Sequence, residues 1–129
     1  MIAVDTNLLV RILTNDDPTQ AHRAVKLLKS DNIFILKTVL LETESVLRHA
    51  YKISRSNIIL GFQKLLGLPN VSVEDPDSIY QAISWYENKL NFADALHLAS
   101  SRRCSSFATF DSLFIKKAQQ FSSMEMIKP

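Results

Sequence analysis

Short apolar runs at 2–4, 33–36, 71–73, 107–110 and 124–127 punctuate the chain. Between them, apolar residues recur at helical spacing. Runs of three or four residues suit buried parallel strands, and their alternation with helical patterns predicts βαβ units. The helix starts are written in the polar positions. Asp17-Pro18-Thr19-Gln20 reads as an N-cap, a first-turn proline and a capping-box partner, ahead of Ala21, Ala24, Val25 and Leu28. Asp75-Pro76 repeats the cap and proline before Ile79, Ile83, Tyr86 and Leu90. Ser54 is placed to cap a helix carrying Ile58, Ile59, Phe62, Leu65 and Leu66, closed by Gly67 and Pro69. Further helices are expected over 8–13, 39–52 and 93–103, and a last one from Ser112 with Asp111 as its cap. The expected architecture is α/β, with helices on both faces of a parallel five-stranded sheet.

Length and composition narrow the classes without naming a function. One domain over 1–129 is expected, large enough for its own core. No apolar stretch approaches the roughly 20 residues that span a bilayer, and the N-terminus has no basic region leading into a long apolar one. No membrane association, and by default a cytoplasmic location, is the expectation. The single cysteine, Cys104, has no partner for a disulfide or for a zinc site, and reads as a small buried or half-buried residue. With only two glycines, Gly61 and Gly67, no glycine-rich phosphate loop can be written. A net charge of +2 is not a general polyanion-binding signature. The basic groups at Arg48-His49-Ala50-Tyr51-Lys52 with Arg55, at Arg102-Arg103 and at Lys116-Lys117 read first as solvated helix faces, compatible with RNA.

The acids change the picture. Asp5 follows the first apolar run and Asp111 the fourth, while Glu42 and Asp94 stand near predicted helix starts. In an α/β fold, ligands gather outside the carboxyl ends of the strands, so acids distant in sequence are expected to meet. Two like charges about 4 Å apart repel by roughly 4 kcal/mol at an effective dielectric near 20. A divalent cation relieves that repulsion and can also act on phosphates. Each acid also has a plain reading. Asp5, Asp94 and Asp111 could be helix caps, and Glu42 could merely suit a helix dipole. Spacing alone does not choose between Glu42 and Glu44, which point to different faces. Thr6 and Asn7 could support a site or simply cap, and Thr109 could aim its hydroxyl at one. His97, three residues after Asp94, reads first as a packed or hydrogen-bonded histidine rather than a general base.

In order and spacing, these residues resemble the PIN-domain family, and more closely its VapC-type ribonuclease toxins. The resemblance runs from Val4-Asp5-Thr6-Asn7-Leu8-Leu9-Val10-Arg11 through Asp16-Asp17-Pro18, Leu41-Glu42 before Val46-Leu47, and Phe92-Ala93-Asp94-Ala95-Leu96, to Thr109-Phe110-Asp111. It implies catalytic, metal-holding acids at Asp5, Glu42, Asp94 and Asp111, with Glu42 rather than Glu44 as the family's glutamate. Thr6 and Thr109 match polar supporting positions. Many relatives carry another acid where this chain has Asn91, whose amide oxygen could hold a metal or its water only without charge. The resemblance further implies an α/β/α sandwich and Mg²⁺- or Mn²⁺-dependent endoribonuclease activity. It also implies a homodimer and a small antitoxin that reaches an arginine among the acids, with operator DNA bound only through the antitoxin.

Other classes fit less well. A receiver domain needs adjacent acids after strand one and an acid near mid-chain, yet Asp5 stands alone and Arg48 to Gly67 contains none. An aspartyl phosphatase would want an acid two residues after Asp5, where Asn7 stands. The alternative within the fold is a PIN subunit that binds operator DNA with a partner and has weak or no nuclease activity.

Overall fold

Asp17 and Pro18 start a helix for the expected reason. In the computed structural model, which describes residues 1–129, the Asp17 carboxylate accepts from the Gln20 backbone N–H at 3.1 Å, and Pro18 occupies the first turn. The other half of the capping box does not form, because the Gln20 side-chain oxygen accepts from Arg11 Nε at 2.8 Å. The chain divides into two compact units, Met1–Pro76 and Asp77–Pro129.

The first unit contains β1 (Ile2–Ala3), α1 (Thr6–Thr14), α2 (Pro18–Ser30), β2 (Ile33–Ile35), α3 (Lys37–His49), α4 (Arg55–Leu66) and β3 (Val71–Val73). Its strands form a parallel sheet in the order β1-β2-β3, with Ile2 opposite Ile33 and Ile33 opposite Val71. Two helices link each strand to the next. Leu9, Ile33, Ile35, Leu40, Ile58 and Phe62 are among its buried residues. Ser54 caps α4 by accepting from the Asn57 N–H, as expected. Leu36 leaves the strand it was expected to close and becomes the N-cap of α3, because Glu74 accepts the Lys37 N–H at 2.9 Å and turns the chain there. At the other end α3 stops at His49 rather than 52. Lys52 turns the chain with φ 55°, and the Ile53 N–H returns to Leu47 O.

The second unit is built on α5 (Pro76–Glu87), which begins at the boundary, with α6 (Phe92–Ser100), β4 (Ser106–Ala108), α7 (Ser112–Phe121) and β5 (Glu125–Ile127). β4 and β5 pair in parallel, Phe107 opposite Met126. Tyr86 meets Phe92 edge to face at 5.1 Å, and Phe107 meets Phe114 in the same way at 5.5 Å. Ser78 in α5 donates to Ala99 O of α6 and accepts from Arg102. α6 ends at Ser100, three residues short of expectation, since the Ser101 hydroxyl and N–H fold back onto His97 O and Leu98 O. Cys104 lies exposed in the turn that follows, contrary to its expected burial; its N–H closes that turn on Ser101 O.

The parallel α/β character is as expected. The hydrogen-bonded ladders number two, of three and two strands. No helix is long and apolar enough to cross a membrane.

Candidate functional site

In the first unit, the acid chemistry begins where β1 turns into α1. Asp5 is the N-cap of α1, and its Oδ1 accepts from the Thr6 N–H at 2.7 Å. The capping reading of Asp5 is therefore correct, but it uses one oxygen and the side chain remains exposed. α3 brings Glu42 to the same cavity, about 240 Å³, whose wall includes Asp5, Thr6, Asn7, Arg11, Glu42 and Tyr51. Thr6 is only 6% exposed, and its hydroxyl oxygen has no hydrogen-bond partner. A buried hydroxyl left unpaired costs about 1–3 kcal/mol. Its place in a wall shared with two carboxylates suits a ligand that accepts or offers oxygen contacts.

Glu44 is settled by burial. It is 2% exposed and held by Arg48, with Nε donating to Oε2 at 2.7 Å and Nη2 to Oε1 at 3.3 Å. Both carboxylate oxygens are engaged in an i,i+4 pair inside the fold. Glu42 is the exposed one.

Two further residues on that cavity escaped the sequence reading. Tyr51 donates to Asp16 and lies 3.4 Å from Arg11 Nη1, and Arg11 also donates to Asp16 at 3.2 Å. The Tyr51 hydroxyl, before the Thr14 hydroxyl and the Arg11 charge, holds the Asp16 carboxyl below the ordinary aspartate value. The same bond raises the Tyr51 hydroxyl. Arg11 is thus anchored by Asp16 and Gln20 at the cavity edge instead of neutralising Asp5 or Glu42. The 35-residue separation of Asp16 and Tyr51 left no local signal for this bond.

In the second unit the capping assignments differ from those expected. Asn91, not Asp94, caps α6: its amide oxygen accepts from the Ala93 N–H at 2.9 Å and the Asp94 N–H at 3.3 Å. Both acceptor directions of that oxygen are then engaged by the backbone. Asp94, released from capping, sits half-buried in the first turn. Asp111 caps α7 by accepting from the Phe114 N–H at 3.0 Å through Oδ1. Thr109 steadies that cap, its hydroxyl accepting the Asp111 N–H at 3.1 Å.

Asp94 lies within the electrostatic reach of Asp111. Burial first, and then the charge of Asp111, push the Asp94 carboxyl above its ordinary value, while His97 and Lys117 pull it back. His97 is exposed, so it is not the packed residue expected; it acts on Asp94 through charge. In neither unit do three His, Cys, Asp or Glu side chains form a ready-made metal cage. What each unit offers is a smaller set of oxygen donors. Asp5, Glu42 and the orphaned Thr6 hydroxyl in one, and Asp94 with Asp111 in the other, match the preference of hard divalent cations for oxygen.

Comparison with functionally curated proteins gives no match. Among solved structures, the chain is similar to the crystal structure of Mycobacterium tuberculosis VapC20, described as a Sarcin-Ricin loop cleaving toxin. The identity is 23%, the match covers 97% of this chain and 99% of that one, and the TM-score is 0.46. The family profile described as PIN domain matches residues 2–120, a span that runs through both units. The chain belongs to the PIN-domain family.

Proposed function

We propose that this chain is one PIN domain over residues 1–129, acting as a Mg²⁺- or Mn²⁺-dependent endoribonuclease. Its carboxylates would be Asp5, Glu42, Asp94 and Asp111. The observation that carries this reading is the state of Asp94. It caps nothing, is partly desolvated and is repelled by Asp111, so its charge is held at a cost that bound cation would remove. Family membership supplies the reaction class.

When bound, a divalent cation supplies a more acidic water for attack at phosphorus and offsets charge developing on the phosphate oxygens. The chain's own part is to aim oxygens. Backbone N–H groups fix Oδ1 of Asp5 and Oδ1 of Asp111, which leaves each Oδ2 for the ligand. Thr109 holds the Asp111 turn, and the Thr6 hydroxyl has unspent capacity beside Asp5. Glu42 adds charge from α3. No imidazole base is needed, in keeping with an exposed His97. A single five-stranded sheet in an α/β/α sandwich belongs to the same proposal.

Biologically, we infer a toxin of a toxin–antitoxin pair: a homodimer restrained by a small antitoxin, reaching operator DNA only through it. The motif order from Val4-Asp5-Thr6-Asn7 to Thr109-Phe110-Asp111 supports this. Purified, partner-free protein incubated with total cellular RNA and Mg²⁺ should produce discrete cleaved ends, and chelation should abolish them. Growth should slow on induction of the wild type but not of Asp94→Asn. Equal slowing by both, or cleavage by neither, would sink the toxin reading and favour a DNA-binding PIN subunit.

A further inference from the structure

The turn that delivers Asp111 carries an oddity. Phe110 is 73% exposed, although its apolar run was expected to bury it in a strand. The reason is local. β4 ends at Ala108, and the Thr109 hydroxyl accepts the Asp111 N–H, which swings the intervening ring outward. Leu113, in the first turn of α7, is 62% exposed. Removing a phenylalanine from water is worth about 1.5–3 kcal/mol, so an isolated ring on a tightly held turn forgoes a stabilising contact within the fold.

Charge around this turn says what kind of partner fits. Lys128 donates to the Ser112 hydroxyl, one residue from Asp111, and Lys117 of α7 acts on Asp94. Lys128, a cation suited to a phosphate backbone, is thereby held at a residue two positions after the ring, and Asp111 follows the ring directly. Flat aromatic faces next to backbone-binding cations are how single-stranded nucleic acids are held, because every base has a π-face. A greasy protein partner would not require the lysines.

We propose that Phe110 stacks on a base of bound single-stranded RNA, one near the scissile phosphate, and so sets which nucleotide lies beside Asp111. This rests on the endoribonuclease reading above and deepens it. Thr109 and the α7 cap fix the backbone after the ring, so the turn that presents it has little freedom left to lose on binding.

The test uses a labelled single-stranded RNA that the wild type cleaves, with affinity measured under chelation and cleavage measured in Mg²⁺. Phe110→Ala should weaken binding and raise KM about five- to a hundredfold, the range covered by base–aromatic stacking. Its kcat should stay within a few-fold and its melting temperature unchanged. Phe110→Trp should restore affinity and Phe110→Leu should not. An abasic substitution at one nucleotide should weaken the wild type and leave Phe110→Ala indifferent. Unchanged binding by Phe110→Ala overturns the proposal. So does full rescue by leucine, or an abasic series with no coupled position. A change of oligomeric state in Phe110→Ala with intact RNA affinity would assign the ring to a protein interface instead. If the wild type neither binds nor cleaves RNA, the nuclease reading has failed first and this inference falls with it.

Discussion

The two units carry their acids in different electrostatic states. In the first, Asp5 and Glu42 are exposed on an open cavity, and the nearby cation, Arg11, is committed to Asp16 and Gln20. In the second, Asp94 is half-buried and pressed by Asp111, enough to raise its carboxyl. Burial and the neighbouring acid thus bear on Asp94 in the second unit. The first holds acids that water solvates, with an unpaired Thr6 hydroxyl beside them. A ligand should therefore change the stability of the protein mostly through Asp94.

The largest expected effects are on activity. Asp94→Asn and Asp5→Asn are each expected to lower RNA cleavage by about 10²-fold or more while the fold persists, since each removes a ligand charge and keeps shape. Stability should separate the two. Without divalent cations, Asp94→Asn should melt above the wild type at neutral pH, and Asp5→Asn should not show that gain. The sign follows from the raised carboxyl. Below the ordinary aspartate value Asp94 is protonated in both folded and unfolded chains, and the two proteins should differ little. As pH rises through that value and up to the folded one, the wild type alone acquires the penalty, which is complete above it. Melting curves in chelator across the acid range check this; a gap that widens as pH falls would contradict it.

Glutamates 42 and 44 sharpen the comparison from another side. Glu44→Gln loses charge-assisted bonds between a buried carboxylate and a half-exposed Arg48, so a cost of about 1–3 kcal/mol and a Tm lower by several degrees is expected. Activity per folded molecule should survive. Glu42→Gln should do the opposite, with Tm kept and cleavage lost. Urea melts beside initial rates distinguish them, and a matched pair of profiles would mean that burial is not what separates these residues. His97→Ala is expected to have the smallest effect, under tenfold in rate. A loss of about 10²-fold, the usual range for a general acid or base, would put its imidazole into the reaction.

Much of this was legible in the chain because caps and short apolar runs act locally. Asp17-Pro18, Ser54 and Asp111 start helices as their chemistry demands, and five strands lie within two residues of the expected runs. Errors came where two local options had similar energies. Asn91 and Asp94 could each cap α6, and Asn91 does, because it stands before the helix while Asp94 is already inside its first turn. Thr109 and Phe110 look like strand residues by composition; the Thr109 N–H still donates to Ile127 O, but its hydroxyl accepts the Asp111 N–H and the chain turns at Phe110. The Arg11–Asp16–Tyr51 network and the Glu44–Arg48 burial are tertiary facts. The first spans 40 residues, and the second has a spacing that reads equally well as a surface pair.

In the proposed function, carboxylates of both units serve one reaction. Single-turnover cleavage of one defined RNA in Mg²⁺, by wild type, Asp5→Asn, Asp94→Asn and the double variant, tests it directly. Residues acting as one unit are grossly non-additive. Each single variant should therefore lose about as much as the double, with all three near the rate seen in chelator. Wild-type cleavage by a folded Asp5→Asn or Asp94→Asn protein, or losses that multiply in the double variant, would contradict the account.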